Sequence, residues 1–141
     1  MIKNKEHTIL IVEDDEVCFL YLSTLIGEHL VTGSTILYAK DGLEAVEICN
    51  RNDNVNLVFM DLKMPNMNGF EATKKIREFN PIVPIVAETG FSMNTDIEKA
   101  LQAGCNEVIT KPINKNTMFK VLSQYLSGQK DQEHLVKCEI R

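Results

Sequence analysis

Apolar residues fall along this chain in two alternating patterns. Short β-branched runs read as strands: 8–12 (TILIV), 36–39 (ILYA), 57–60 (LVFM), 82–87 (IVPIVA) and 107–110 (EVIT). Between them the spacing widens to a helical period. Val17, Leu20, Tyr21, Ile26 and Leu30 predict a first helix broken by Gly33, and Leu43, Val46 and Ile48 a second. Asp41 with Glu44 three residues later has the form of a capping box for that second helix. A third helix is expected over about 70–78, stopped by Asn80-Pro81. A fourth, capped by Asn94 or Thr95, carries Ile97, Ala100 and Leu101 to Gly104. The last spans about 115–126, with Met118, Phe119, Val121, Leu122, Tyr125 and Leu126 as its stripe.

Five continuous apolar strands alternating with five helices predict an α/β fold. Its parallel sheet should be covered on both faces, a three-layer sandwich. Pro84 is expected near the start of the fourth strand, where a missing amide is cheapest. Right-handed crossovers align the strand carboxyl ends along one edge. The domain is expected to occupy 8–126, leaving 127–141 as a charge-rich tail or linker.

Composition narrows the function. The chain has 141 residues, 44% of them hydrophobic, enough for one core without a metal or disulfide staple. Its 15 basic and 20 acidic side chains give a net charge of -5 and no basic stripe, which disfavours direct nucleic-acid binding. No apolar run approaches the ~20 residues of a membrane span, and no secretory signal is visible. The cysteines at 18, 49, 105 and 138 lack metal-site spacing and fit a reducing, cytoplasmic setting.

The predicted carboxyl edge collects Glu13 and Asp14 after the first strand, Asp61 after the third, Thr89 after the fourth and Lys111 after the fifth. Three carboxylates this close repel unless a cation neutralises them, and a hard divalent ion, Mg2+, suits such oxygen donors. Lys111 and the Thr89 hydroxyl are groups expected around phosphoryl oxygens. Asp61, at the end of the central strand and away from another acid in sequence, is the candidate nucleophile toward phosphorus.

Four stretches, ILIVEDDE (9–16), VFMDLKMPNMNGFEATKKIR (58–77), PIVPIVAETG (81–90) and AGCNEVITKPI (103–113), resemble the receiver domain of bacterial two-component response regulators. The style of GFEATKKIR (69–77) followed by AGCNEVITKPI is similar to receivers attached to hybrid sensor histidine kinases. The resemblance implies a flavodoxin-like (βα)5 fold with strand order 2-1-3-4-5, whose pocket lies at the topological switch point; a chemotaxis receiver is a standard example of that rule. It implies a phosphorylated Asp61, a switching hydroxyl at Thr89 and a charge-stabilising Lys111 followed by a cis Lys111-Pro112 bond. Glu13, Asp14, Asp61 and the backbone carbonyl of Lys63 would then form the magnesium shell. The implied donor is the phosphohistidine of a kinase or phosphotransfer protein, docking beside the first helix near Phe19 and Leu22, on a monomer or weak dimer. Such a domain catalyses its own aspartyl phosphorylation and dephosphorylation without being a conventional turnover enzyme.

Departures matter. Val108 stands where many receivers carry a reorienting aromatic, which predicts a muted switch. Lys63 and Phe91 flank the path of an attacking water and supply no group suited to orient it, which predicts slow self-dephosphorylation. Cys18 reads as a small packing residue rather than a redox sensor. Two other classes remain: a phosphorylation-independent pseudo-receiver acting as a binding module, and a metal-dependent aspartyl-phosphate hydrolase. The hydrolase should show a second acid shortly after the nucleophile, where position 63 is lysine.

Overall fold

The structure, a computed structural model, describes residues 5–90 and 94–126. Its elements run β1 (Thr8–Val12), α1 (Glu16–Gly27), β2 (Thr35–Ala39), α2 (Gly42–Arg51), β3 (Leu57–Asp61), α3 (Gly69–Phe79), β4 (Ile85–Thr89), α4 (Asn94–Ala103), β5 (Glu107–Thr110) and α5 (Lys115–Leu126). All neighbouring strands pair in parallel, in the order β2-β1-β3-β4-β5. This is the flavodoxin-like order expected, with the first two strands in sequence running outward from the third.

Strand alternation divides the core into two. Leu10, Val12, Val58, Met60, Ile85 and Ala87 pack with α2, α3 and α4 residues such as Ala45, Ala72, Ile76 and Ala100. Ile9, Ile11, Leu57, Phe59 and Val86 pack with Leu22, Leu25 and Ile26 of α1 and Met118, Val121 and Leu122 of α5. Burying β3 wholly on both faces explains its unbroken apolar run.

Three expectations are corrected. β4 begins at Ile85, not Ile82: Ile82 is 84% exposed, and Pro84 precedes the strand. The amides of Ile82 and Val83 instead donate to the side chain of Asn80, forming a turn that delays entry into the sheet. The first helix ends at Gly27, and its buried residues are Leu22, Leu25 and Ile26, while Val17, Leu20 and Tyr21 face outward. Six consecutive apolar residues (17–22) leave several helical faces equally hydrophobic, so periodicity alone cannot choose between them. Third, Leu101 and Phe119 are half-exposed rather than core.

The α2 cap holds closely to expectation, whereas Asn94 and Thr95 are the first residues of α4 itself rather than a cap preceding it. Asp41 Oδ1 accepts from the Glu44 amide at 2.9 Å, and Glu44 returns a bond at 2.8 Å, to the Lys40 amide rather than that of Asp41. The tail after 126 lies outside the described residues.

Candidate functional site

The site begins with strand parity. On β1, Ile11 faces α1 and α5, so Glu13, two residues on, continues the same row. Phe59 leads likewise to Asp61, Val86 to Glu88, and Ile109 of β5 to Lys111. Asp61 and Glu88 are register partners across β3 and β4. Each apolar stripe on this face therefore ends in an ionisable group, and the row crosses four adjacent strands.

The geometry draws the row together. Lys111 Nζ lies 3.0 Å from Glu13 Oε1 and 3.3 Å from Asp61 Oδ2. Glu13, Asp61 and Glu88 are 1%, 5% and 1% exposed. Exposed Asp14 joins Glu13 and Asp61 so that one oxygen of each lies within 4.8 Å of the others. Three carboxylate oxygens at that spacing, reachable from solvent through Asp14, are a hard donor set that fits a divalent cation such as magnesium. Asp15 belongs to the local fold instead: it caps α1, accepting from the Val17 amide at 2.8 Å and more weakly from that of Cys18.

The loop after β3 shapes the floor. The Lys63 amide donates to Asp61 Oδ1 at 3.3 Å, and the Gly69 amide to the Leu62 carbonyl at 3.2 Å. A Cβ on Gly69 would collide with the Asp61 carbonyl oxygen, so this loop can fold back under the strand end only with glycine there. Asn68 then caps α3 through the Glu71 amide.

Thr89 occupies the last position of β4 rather than the loop beyond it, and is buried. It is one residue past the partner of Asp61, and its carbonyl accepts from the Lys111 amide at 2.8 Å. The Lys111-Pro112 bond is cis, as the resemblance implied. Val108 is half-buried against the α2, α3 and α4 core. Cys18 is half-buried on α1, its thiol pushed up by burial and by nearby Glu13. Phe91 lies outside the described residues.

Electrostatics follow from this crowding. Burial, then the Glu13 charge, pushes the Asp61 carboxyl up to about 6. Glu88 rises further, to about 8, chiefly by burial, with the Lys111 charge opposing the rise. Burial alone would lower the Lys111 ammonium. Its hydrogen bond to Glu13 and the charges of Asp61 and Glu13 outweigh that and raise it.

Glu88 was missed by sequence reasoning, which passed over it for its neighbour Thr89. The signal was present: counting two residues on from Val86 places it on the face that carries Glu13 and Asp61. A second revision concerns α1. Leu22 is buried in the core and does not present a docking surface, while Phe19 is partly buried, stacked on Tyr38 with ring centroids 4.0 Å apart. The exposed apolar side chains there are Val17, Leu20 and Tyr21.

A family model described as the response regulator receiver domain matches residues 9–123. The chain is 38% identical over 142 residues to the transcription factor SKN7 of Chaetomium thermophilum, covering 97% of this chain. It spans only 17% to 23% of the length of the fungal proteins of that name. Among solved structures, the receiver domain of Saccharomyces cerevisiae Ssk1, in complex with the histidine phosphotransfer protein Ypd1, is 33% identical with a TM-score of 0.76. That match covers 85% of this chain and 88% of the other. The receiver domain of the Pseudomonas aeruginosa sensor histidine kinase PA1611, with magnesium in its active-site cleft, is 28% identical with a TM-score of 0.77, covering 86% and 98%. Among the described residues no helix is long and apolar enough to cross a membrane.

Proposed function

Because the chain belongs to the family of response regulator receiver domains, we propose that it takes a phosphoryl group from a phosphohistidine onto Asp61. The observation that carries this reading is the convergence of Glu13, Asp14, Asp61 and Lys111, from three separate strand ends, on one pocket. An Asp61 carboxylate oxygen attacks phosphorus, and the P–N bond to the donor imidazole breaks. The nitrogen leaves with the bonding pair, and Asp61 becomes an acyl phosphate. Lys111 neutralises charge on the transferred oxygens, and Thr89 reports the modification through its hydroxyl. Glu13, Asp14, Asp61 and the Lys63 carbonyl would hold magnesium, which when bound supplies charge neutralisation between nucleophile and phosphoryl group.

The raised Asp61 carboxyl supports a partner cation. Metal and Lys111 together favour the ionised nucleophile, which burial alone disfavours. The donor is proposed to dock on α1 beside the pocket, over Val17, Leu20 and Tyr21. The yeast complex of a receiver with a histidine phosphotransfer protein supports a partner of that class. A binding module independent of phosphorylation would have no use for three carboxylates buried or clustered around one lysine. Receivers of a transcription factor, a response regulator and a sensor kinase match at comparable identity. A hybrid-kinase parent is one proposal among these architectures, and the chemistry attaches to the domain rather than to the parent.

Incubation with acetyl phosphate and magnesium, followed by intact mass, tests the reading. Wild type gains one acid-labile phosphoryl mass, and Asp61→Asn gains none. Equal labelling of both, or of neither, overturns it.

A further inference from the structure

Glu88 has no part in the chemistry above, yet it is among the most deeply buried ionisable side chains in the protein. It faces the pocket from β4, beside Asp61 in register. Its Oε1 is buried and has no hydrogen-bond partner among the described residues. It also lines a cavity of about 70 Å3 between α1 and the start of the β5–α5 loop, shared with Glu13, Cys18, Tyr21, Lys111 and Ile113. A buried, unpartnered carboxyl oxygen is expensive, and a fold that keeps one has a reason beyond packing.

Glu88 shares that cavity with Lys111 and with Glu13, and both act on its carboxyl, Lys111 through its charge and Glu13 through its charge and a hydrogen bond. The ammonium has three hydrogens, and Glu13 and Asp61 account for two near contacts. Both of those carboxylates belong to the magnesium donor set, whereas Glu88 does not. Once the metal site is filled and Asp61 carries a phosphoryl group, the acceptors that hold Lys111 in this arrangement are engaged elsewhere. Glu88 is then the buried acid on the same row still free to accept from the ammonium.

We propose that Glu88 is a positioning residue for Lys111, anchoring the ammonium from the pocket floor so that it meets the incoming phosphoryl oxygens when Glu13 and Asp61 are committed to the metal. The proposal rests on the phosphoryl-acceptor reading and deepens it. Supporting side chains of this kind typically change activity by ~10- to 100-fold when removed. The half-exposed Lys111 side chain, flexible along four carbons, needs such a tether more than a rigid guanidinium would.

The test compares wild type, Glu88→Gln and Glu88→Leu. Three quantities are measured: the initial rate of phosphoryl incorporation from acetyl phosphate, magnesium affinity by calorimetry, and the 13Cε signal of Lys111 by NMR in magnesium. Glu88→Leu should slow incorporation by about tenfold. Glu88→Gln, which keeps an acceptor oxygen, should recover most of the rate. Magnesium affinity should fall by less than the rate does, because Glu88 is not itself in the donor set, while the Lys111 signal shifts in the Leu variant. In Glu88→Leu, an unchanged rate, an unmoved Lys111 signal, or a rate that falls in step with magnesium affinity overturns the proposal. Should Glu88→Leu fail to fold, the Gln variant still decides: an altered Lys111 signal supports the tether, and an unaltered signal overturns it. The wild-type and Asp61→Asn masses report separately on the phosphoryl-acceptor reading.

Discussion

The two faces of this sheet are built by the same strands and diverge only at their last residues. On the face covered by α1 and α5, the stripes end in Glu13, Asp61, Glu88 and Lys111. On the face covered by α2, α3 and α4, the corresponding continuations are exposed Asp14, buried Leu62, Thr89 and Thr110. Below that level both faces are equally dry and aliphatic. Fold stability is thus shared between the parities, while the buried carboxyls and the lysine they face are concentrated in one of them. Thr89 is the bridge: it belongs to the parity of α2, α3 and α4 but sits one residue past the Asp61 partner, where a change at the buried charged row can reach the α4 side.

The two faces would differ most in the stability of their cores. Phe59 is fully buried on the charged-row face and Ile76 fully buried on the other. Phe59→Ala should cost about 3–5 kcal/mol and Ile76→Ala about 2–5 kcal/mol in denaturant unfolding. Loss from one face alone would show that a single layer carries the fold. A step down in size is Lys111→Met. It leaves buried carboxyls without their cation and should cost about 1–3 kcal/mol above neutral pH, discounted because the lysine is partly solvated. No destabilisation would mean that the row is not electrostatically coupled.

A pH series sharpens the same point. Asp61 and Glu88 are raised to about 6 and about 8 when folded, each chiefly by burial. The folded chain therefore keeps protons that the unfolded chain releases from about pH 4 upward, and stability falls as pH rises through that window. Metal-free protein should melt lower near pH 8 than near about pH 5, with magnesium restoring part of the loss. Glu88→Gln should flatten the upper part of the slope. Asp41 has the opposite sign. Bonds from the Glu44 amide and Asn66 hold its carboxyl below the usual range, so its contribution is lost only as pH falls through that depressed value. A melting temperature that rises steadily toward pH 8 without metal contradicts the assignment.

Much of this was legible in the chain. Strand runs, the Asp41–Glu44 box and the Asn80-Pro81 stop predicted element order, and the motif positions of Glu13, Asp14, Asp61 and Lys111 led to residues the fold brings together. What escaped was orientation. In α1, Val17 through Leu22 are all apolar apart from the ring hydroxyl of Tyr21, so only packing against Ile9 and Ile11 reveals that Leu22 points inward and Val17 outward. At β4, the entry was misplaced because Ile82-Val83 looks like strand until the Asn80 side chain is seen capturing both amides. Glu88 was hidden for the reverse reason: the alternation that exposes it was available, but the motif drew attention to its neighbour.

The smallest predicted effect is the most direct control on parity. Thr110 adjoins Lys111 in sequence and ends β5, but it is exposed and belongs to the opposite face, paired with Thr89. If function follows sequence proximity, truncating it should disturb Lys111 and slow phosphoryl incorporation. If function follows the face, Thr110→Ala should change unfolding free energy by no more than about 0.5 kcal/mol and leave the labelling rate within about twofold. The backbone link from the Lys111 amide to the Thr89 carbonyl survives the substitution, so the lysine keeps its approach to the pocket. A loss of rate as large as that of Glu88→Leu would place Thr110 inside the machinery and end the distinction between the two faces.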